Sequence, residues 1–327
     1  MKRDLFVEAE RFPLARAFTI SRGTKTEAQV LTCTISEGSH RGRGECVPYA
    51  RYGETMESVR ESIEAMRGPI SAGITRTELL DALAPGAARN AIDCALWDLD
   101  FKLRGVPAHE ELCSAPPRPL VTAVTISLGE PEEMAGQARE QSGHRLLKVK
   151  VGSADDTARI RAVAGAAPDS RIILDANEGW TEENLREHLS VAAECGIALI
   201  EQPLPQGKDA VLASIPHPVP ICADESVHIA EDLPGLVGLY DAVNIKLDKA
   251  GGLTAALQLR DRAKELGLGI MIGCMVGSSL AMAPAVLLAQ EADFVDLDGA
   301  LLLARDREPG LVYSDSLVRP PRSALWG

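Results

Sequence analysis

From residue 119 onward the apolar positions fall into short β-rich runs at residues 120–126, 147–151, 171–175, 197–201, 219–223, 242–246, 269–273 and 294–297. Each run is too short for a helix. The intervals between several of them carry helical spacing and start signals, such as Thr181-Glu182-Glu183-Asn184 ahead of Leu185 and His188, or the Ala-, Leu- and Lys/Arg-rich stretch 253–266. Strand, helix, strand is therefore the repeating unit, with a period of about 25 residues. Eight such strands predict an α/β fold closing as a (β/α)7β TIM-like barrel, whose chemistry sits at the carboxyl ends of the strands.

Residues 1–112 follow another pattern. Strand-like stretches lie at 5–12 and 29–36, the glycines of 40–44 read as a turn, and helical spacing covers 56–66, 76–83 and 87–103. This is a mixed α+β domain, with the proline-rich 114–119 as linker. The expected division is residues 1–114 as the N-terminal domain and 115–304 as the barrel.

The strand ends carry the chemistry. Lys148 and Lys150 close the second run, Asp175 the third and Glu201 the fourth, Asp224 follows the fifth, and Lys246 closes the sixth. From Lys150 onward the steps are 25, 26, 23 and 22 residues, so each side chain holds the same place in successive units and barrel closure brings them together. Singly, each has an ordinary structural role open to it: a helix cap for Asp175 or Asp224, a loop charge for Glu201, an exposed strand face for Lys148 and Lys150. Jointly, three converging carboxylates would repel unless a cation neutralised them, and an all-oxygen set suits Mg²⁺ better than Zn²⁺. A metal held against a substrate carboxylate stabilises the enolate-like charge that develops as the neighbouring C–H proton leaves. Lys150 and Lys246 on either side could then remove a proton from one face and return it to the other. A basic role requires a lysine pKa below the free value of about 10.4. Lys148, on the same strand face as Lys150, supplies a like charge for this, as does the metal; Lys148 could instead bind a substrate carboxylate, or do both.

Composition narrows the partners. The formal net charge of −13 disfavours nucleic acid and anionic membranes. The first residues, MKRDLFVEAERF, include basic residues but no apolar run to follow them, so neither a signal peptide nor an anchor is expected and the chain reads as cytoplasmic. Seven cysteines without a C-x-x-C pair read as free, mostly buried thiols. The six histidines show no ligand spacing. Gly277-Ser278-Ser279 could bind substrate oxygens but equally reads as a common turn. Subunit number is left open, a homo-oligomer included.

The words around these residues, LKVKVG (147–152), LDANEGW (174–180), IEQPLP (200–205), ADES (223–226) and NIKLDKAGG (244–252), resemble the muconate-lactonising subgroup of the enolase superfamily. The resemblance implies Mg²⁺ held by Asp175, Glu201 and Asp224, and Lys150 and Lys246 as the acid/base pair. It also implies that the N-terminal domain caps the barrel mouth, completed by residues 305–327.

Asp296-Leu297-Asp298 at the eighth strand places two carboxylates at i and i+2, on one side, where they can hold an ammonium group or simply form a polar rim. The spacing resembles the Asp-x-Asp signature of dipeptide epimerases, which implies two-base epimerisation of a dipeptide such as L-Ala-D/L-Glu. N-acylamino-acid racemases, o-succinylbenzoate synthases and muconate cycloisomerases would share the metal ligands and lysines, but their substrates bring no ammonium. A binding protein on an inherited barrel is the reading from another class. Ser21-Arg22-Gly23 resembles a stretch in which enzymes that epimerise L-Ala-D/L-Glu present a cap arginine, which implies Arg22 for the substrate's distal carboxylate; read by itself it is equally a solvated loop charge. Tyr52, in the loop 48–53, is a substrate contact or packing, and Thr125 in the first barrel run is assigned with them to substrate binding.

Overall fold

The structure, a computed structural model, describes residues 2–154 and 156–327. Its N-terminal part opens with a three-stranded antiparallel meander, β1 (Arg3–Ile20), β2 (Gly23–Glu37) and β3 (His40–Cys46). Helices α1 (Met56–Ala65), α2 (Arg67–Ala72), α3 (Arg76–Ala82), α4 (Ala87–Arg104) and α5 (Ala108–Leu112) follow. α1 and α3 each begin with a capping box, Thr55 with Ser58 and Thr75 with Glu78, which satisfies the first free N–H groups of the helix.

One sequence expectation is overturned here. Residues 40–44 are not a turn but most of β3, paired with β2 from Leu31↔Cys46 to Glu37↔His40. The glycines serve packing. A Cβ on Gly42 would lie 2.1 Å from the Ala95 carbonyl oxygen and one on Gly44 2.2 Å from that of Ala91, so only glycine lets α4 lie directly on the strand.

The first expected barrel strand splits in two. β4 (Leu120–Val121) leaves the barrel and pairs with β14 (Leu317–Val318), itself joined to β13 (Tyr313–Ser314). β5 (Val124–Ile126) begins a parallel eight-stranded sheet that continues through β6 (Leu146–Lys150), β7 (Arg171–Asp175), β8 (Leu199–Glu201), β9 (Ile221–Ala223), β10 (Ala242–Ile245), β11 (Gly269–Ile272) and β12 (Phe294–Val295) in sequential order. The curled sheet brings its edges together where Ala123 N donates to Val295 O at 2.8 Å.

Five α-helices pack outside the sheet, α6 (Pro131–Glu140), α7 (Asp156–Ala166), α8 (Glu182–Glu194), α10 (Leu253–Glu265) and α11 (Ser279–Leu288), while the short α9 (Leu247–Ala250) follows β10 and packs toward the N-terminal part. After β8 and β9 the connections hold only 3-10 segments, at Ala210–Ser214 and Ala230–Gly235. The shortened units explain why the period contracts across that part of the chain.

The N-terminal part and the barrel are joined by buried polar contacts. The Arg307 guanidinium reaches Glu45 Oε2 at 2.7 Å, Glu10 Oε1 at 3.1 Å and Thr32 Oγ1 at 2.8 Å, and its Nε donates to Ser278 Oγ at 2.6 Å. Ser278, the N-cap of α11, and Ser279, its first residue, are therefore committed to Glu45 and Asp306 rather than to a ligand. Asp248 Oδ1, on α9, accepts from Val47 N at 3.0 Å and Asn90 Nδ2 at 2.8 Å. Further along the chain, Trp326 packs edge-on against Phe101 with its Nε1 donating to Cys94 O at 3.0 Å. All seven cysteines are free. No helix among the described residues is long and apolar enough to cross a membrane.

Candidate active site

Consecutive barrel strands set the site. Parallel register places Lys150 beside Asp175, Asp175 beside Glu201 and Glu201 beside Cys222, two residues before Asp224. Lys150 Nζ lies 2.6 Å from Asp175 Oδ2, at one end of the row. Lys246 Nζ lies 2.6 Å from Asp224 Oδ2 and 3.8 Å from Glu201 Oε1, at the other. Between them, Lys148 Nζ is 3.0 Å from Asp175 Oδ2, 2.7 Å from Glu201 Oε2 and 2.7 Å from Asp296 Oδ2.

Among the described residues, no three His, Cys, Asp or Glu side chains by themselves form a cage for a metal ion, because these ammonium groups stand between the carboxylates. The repulsion argument for a divalent cation therefore loses part of its force, since lysines neutralise the acids. The donor set still fits one. Asp175, Glu201 and Asp224 are all buried, all offer hard oxygen donors, and Glu201 Oε2 accepts no hydrogen bond despite the nearby amine.

Burial pushes the Glu201 carboxyl upward, and Asp175 beside it adds to the effect. Burial acts the same way on Asp224, but Lys246 and Lys249 outweigh it and hold that carboxyl well below its usual range. For Lys246, burial lowers the pKa while Asp224 and Glu201 raise it, and the carboxylates win. Within the protein's own charges, then, Lys246 is held above the free lysine value, opposite to what a base requires.

Asp298 Oδ2 accepts from Thr125 N at 2.8 Å, and burial with the neighbouring Asp296 pushes its carboxyl up to about 7. Arg22, Tyr52, Thr125, Asp296 and Asp298 line one cavity of about 890 Å³ together with Lys148, Lys150, Asp224 and Lys246. That is ample for a small peptide. Arg22 is already engaged, with Glu225 Oε1 at 2.7 Å, Asn177 O at 2.9 Å, Tyr49 Oη at 3.1 Å and Glu178 Oε2 at 3.3 Å. Tyr52 stacks edge-on with His228, ring centroids 4.8 Å apart.

Four residues at the site escaped the sequence reading. Lys249 on α9 is buried with its amine on Asp224, Asn244 Nδ2 donates to Glu201 Oε1 at 2.8 Å, and Asn177 Oδ1 accepts from Lys150 at 3.3 Å. Glu225 is buried against Arg22. Asn244 was findable, two residues before Lys246 on the same strand face. Asn177 and Gln202 adopt left-handed φ of 44° and 36° directly after β7 and β8, backbone strain of the kind that collects at functional sites.

Residues 2–112 match the family model described as "Mandelate racemase / muconate lactonizing enzyme, N-terminal domain", and residues 131–322 match "Enolase C-terminal domain-like". The chain belongs to the mandelate racemase/muconate lactonizing enzyme family of the enolase superfamily. Within this family it is 43% identical to the L-Ala-D/L-Glu epimerase of Escherichia coli K12 over 95% of this chain and 98% of that one. It is 44% identical to an N-acetyl-D-glutamate racemase of Pseudoalteromonas sp, covering 91% and 95%. A solved enolase-family protein of Agrobacterium tumefaciens, described as having homology to dipeptide epimerases and holding sodium and L-Ala-L-Glu, superposes with TM-score 0.98 at 61% identity, covering 99% of this chain and 100% of that one. A dipeptide epimerase of Cytophaga hutchinsonii, solved with Mg and D-Ala-L-Val, gives TM-score 0.90 at 28% identity over 98% and 94%.

Proposed function

We propose that this enolase-superfamily chain is a Mg²⁺-dependent dipeptide epimerase acting on L-Ala-D/L-Glu or a related acidic dipeptide by two-base 1,1-proton transfer. The observation that carries the reading is the row Lys150–Asp175–Glu201–Asp224–Lys246, with an amine at each end of three carboxylates. Asp175, Glu201 and Asp224 would hold the metal. When bound, Mg²⁺ supplies positive charge that offsets both these acids and the charge developing on the substrate carboxylate as its α-proton leaves.

The chain's own residues do the rest. Lys150 and Lys246 remove the α-proton from one face and return one to the other, and Lys148 binds the substrate carboxylate. Asp296 and Asp298 take the free ammonium group, with Thr125 N orienting Asp298. Arg22 and Tyr52 close the distal side of the cavity. In this reading residues 1–114, completed by 305–327, form the cap and 115–304 the catalytic barrel. The enzyme works in the cytoplasm, in the recycling of cell-wall peptides, and without nucleic acid or membrane partners.

The relative named for N-acetyl-D-glutamate shares a glutamyl group with the dipeptide reading but names a substrate without an ammonium group. A paired carboxylate gains nothing from such a ligand, which favours the dipeptide. The test is incubation in D₂O with Mg²⁺, L,L-dipeptides and N-acetyl amino acids, reading deuterium at the α-carbon by mass spectrometry. Exchange on acidic dipeptides is expected, reduced at least 100-fold by Lys150→Ala or Lys246→Ala. Exchange confined to N-acetyl amino acids, or full activity in both variants, would sink the assignment.

A further inference from the structure

The cations that line the cavity are not equivalent. Lys148, Lys150 and Lys246 are each ion-paired with carboxylates at the barrel floor. On the cap side, Arg22 and Arg51 share Glu178, and Arg22 also holds Glu225. Lys25 is the exception: among the described residues its amine makes no ion pair and no hydrogen bond, and its nearest recorded partner is the Tyr49 ring, 5.1 Å from Nζ to centroid.

Its position ties it to the site. Lys25 on β2 pairs directly with Phe18 on β1, so the two side chains are cross-strand neighbours on one face. The Phe18 ring in turn lies 5.7 Å from Lys150 Nζ. Partial desolvation, and then the Arg22 guanidinium, hold the Lys25 pKa below the usual lysine value, as expected for a cation lacking its counter-charge.

We infer that Lys25 is a specificity-determining residue, supplying the unpaired positive charge that recognises the distal carboxylate of an acidic dipeptide. This rests on the function proposed above and deepens it. Arg22 was the expected partner of that carboxylate, but its Nη1 and Nη2 groups already donate to four oxygens of the protein, and a ligand seeking a two-pronged grip on them would have to displace Glu225 or Glu178. Lys25 needs no such exchange. At the barrel end Asp296 shares one lysine with two other acids and sits beside Asp298, leaving negative charge for an ammonium, while on the cap side, where Glu27 and Glu54 also line the cavity, Lys25 is the cation that no acid pairs among the described residues. An L-Xaa-L-Glu or L-Xaa-L-Asp peptide matches both ends. A peptide with a neutral second side chain matches only one.

The test compares kcat/KM for L-Ala-L-Glu with that for its isosteric neutral counterpart L-Ala-L-Gln, using the Mg²⁺-loaded wild type, Lys25→Met and Lys25→Arg. Methionine keeps the apolar stem over Tyr49 and removes the charge. The Glu-over-Gln preference is expected to fall on the order of tenfold in Lys25→Met, mainly through KM, and to be largely retained in Lys25→Arg. Equal preference in Lys25→Met and wild type overturns this inference alone, as does a loss of the same size on both peptides. Absence of α-deuterium exchange by wild type on any dipeptide overturns the proposed function, and this inference with it.

Discussion

Asp248 offers a direct check on how the cap is fastened to the barrel. Its Oδ1 accepts both Val47 N and Asn90 Nδ2, so Asp248→Asn keeps the accepting oxygen and removes only the charge. Burial, above all, pushes this carboxyl from the ordinary 3.8 to about 7. Between those values the folded protein holds a proton that the unfolded chain has released, so stability falls as pH rises through the window and levels off above about 7. At about 1.4 kcal/mol per pH unit, tapering as the folded-state value is approached, the interval from pH 5 to pH 7 corresponds to roughly 2 kcal/mol. The asparagine variant carries no such slope. Its stability relative to wild type should therefore rise by roughly 2 kcal/mol across that interval, whatever constant offset the new NH₂ group adds. Urea unfolding at half-unit steps from pH 5 to pH 8.5, with Mg²⁺ fixed, measures the difference. Parallel curves for the two proteins would refute the buried-carboxyl argument.

Two further outcomes follow from geometry already described. Because burial and Asp296 raise Asp298 to about 7, the carboxylate that the proposed function assigns to the ammonium group is lost as pH falls below that value. KM for a dipeptide should then climb on the acid side, and Asp298→Asn should abolish that limb while raising KM throughout; a wild-type KM constant from pH 5 to pH 8 counts against the assignment. Arg307→Ala leaves buried Glu45 without its guanidinium and should cost about 3–5 kcal/mol in urea unfolding at neutral pH. A loss under 1 kcal/mol would mean that the bridge between cap and barrel is worth no more than a surface ion pair.

The residues that sequence reading located best are those whose position is set by the barrel's period. Asp175, Glu201 and Lys246 recur at one place in successive strand–helix units, so numbering alone predicts that they meet. Residues that join the site through tertiary packing leave no such trace. Lys249 arrives on α9 after Lys246, and its contact with Asp224 depends on a turn whose shape apolar spacing does not encode. Lys25 is an exposed strand residue like many others, and it stays exposed in the fold; only the placing of β1 and β2 beside the barrel puts it on the cavity wall. Residues 40–44 misled because glycine signals a turn and a close helix contact equally well, and only the Cβ clash with α4 separates the two. The expectation of a lowered lysine pKa rested on Lys148 and the metal as neighbouring positive charges and left out the acids, which dominate at Lys246 among the protein's own groups.

The bridge at Arg307 also bears on the order in which the molecule can be assembled during translation. Glu45 leaves the ribosome 262 residues before Arg307, and Asp98 leaves 229 residues before Gly327 N, which donates to it. The meander and α4 are thus synthesised early with acidic side chains whose counterparts do not yet exist. A nascent cap can collapse onto its own apolar face, but it stays loosely held until the barrel has emerged in full. Maturation of this enzyme should be a single late event rather than two successive ones, and the β1–β2 turn takes its final position only after residues 307–327 have been made.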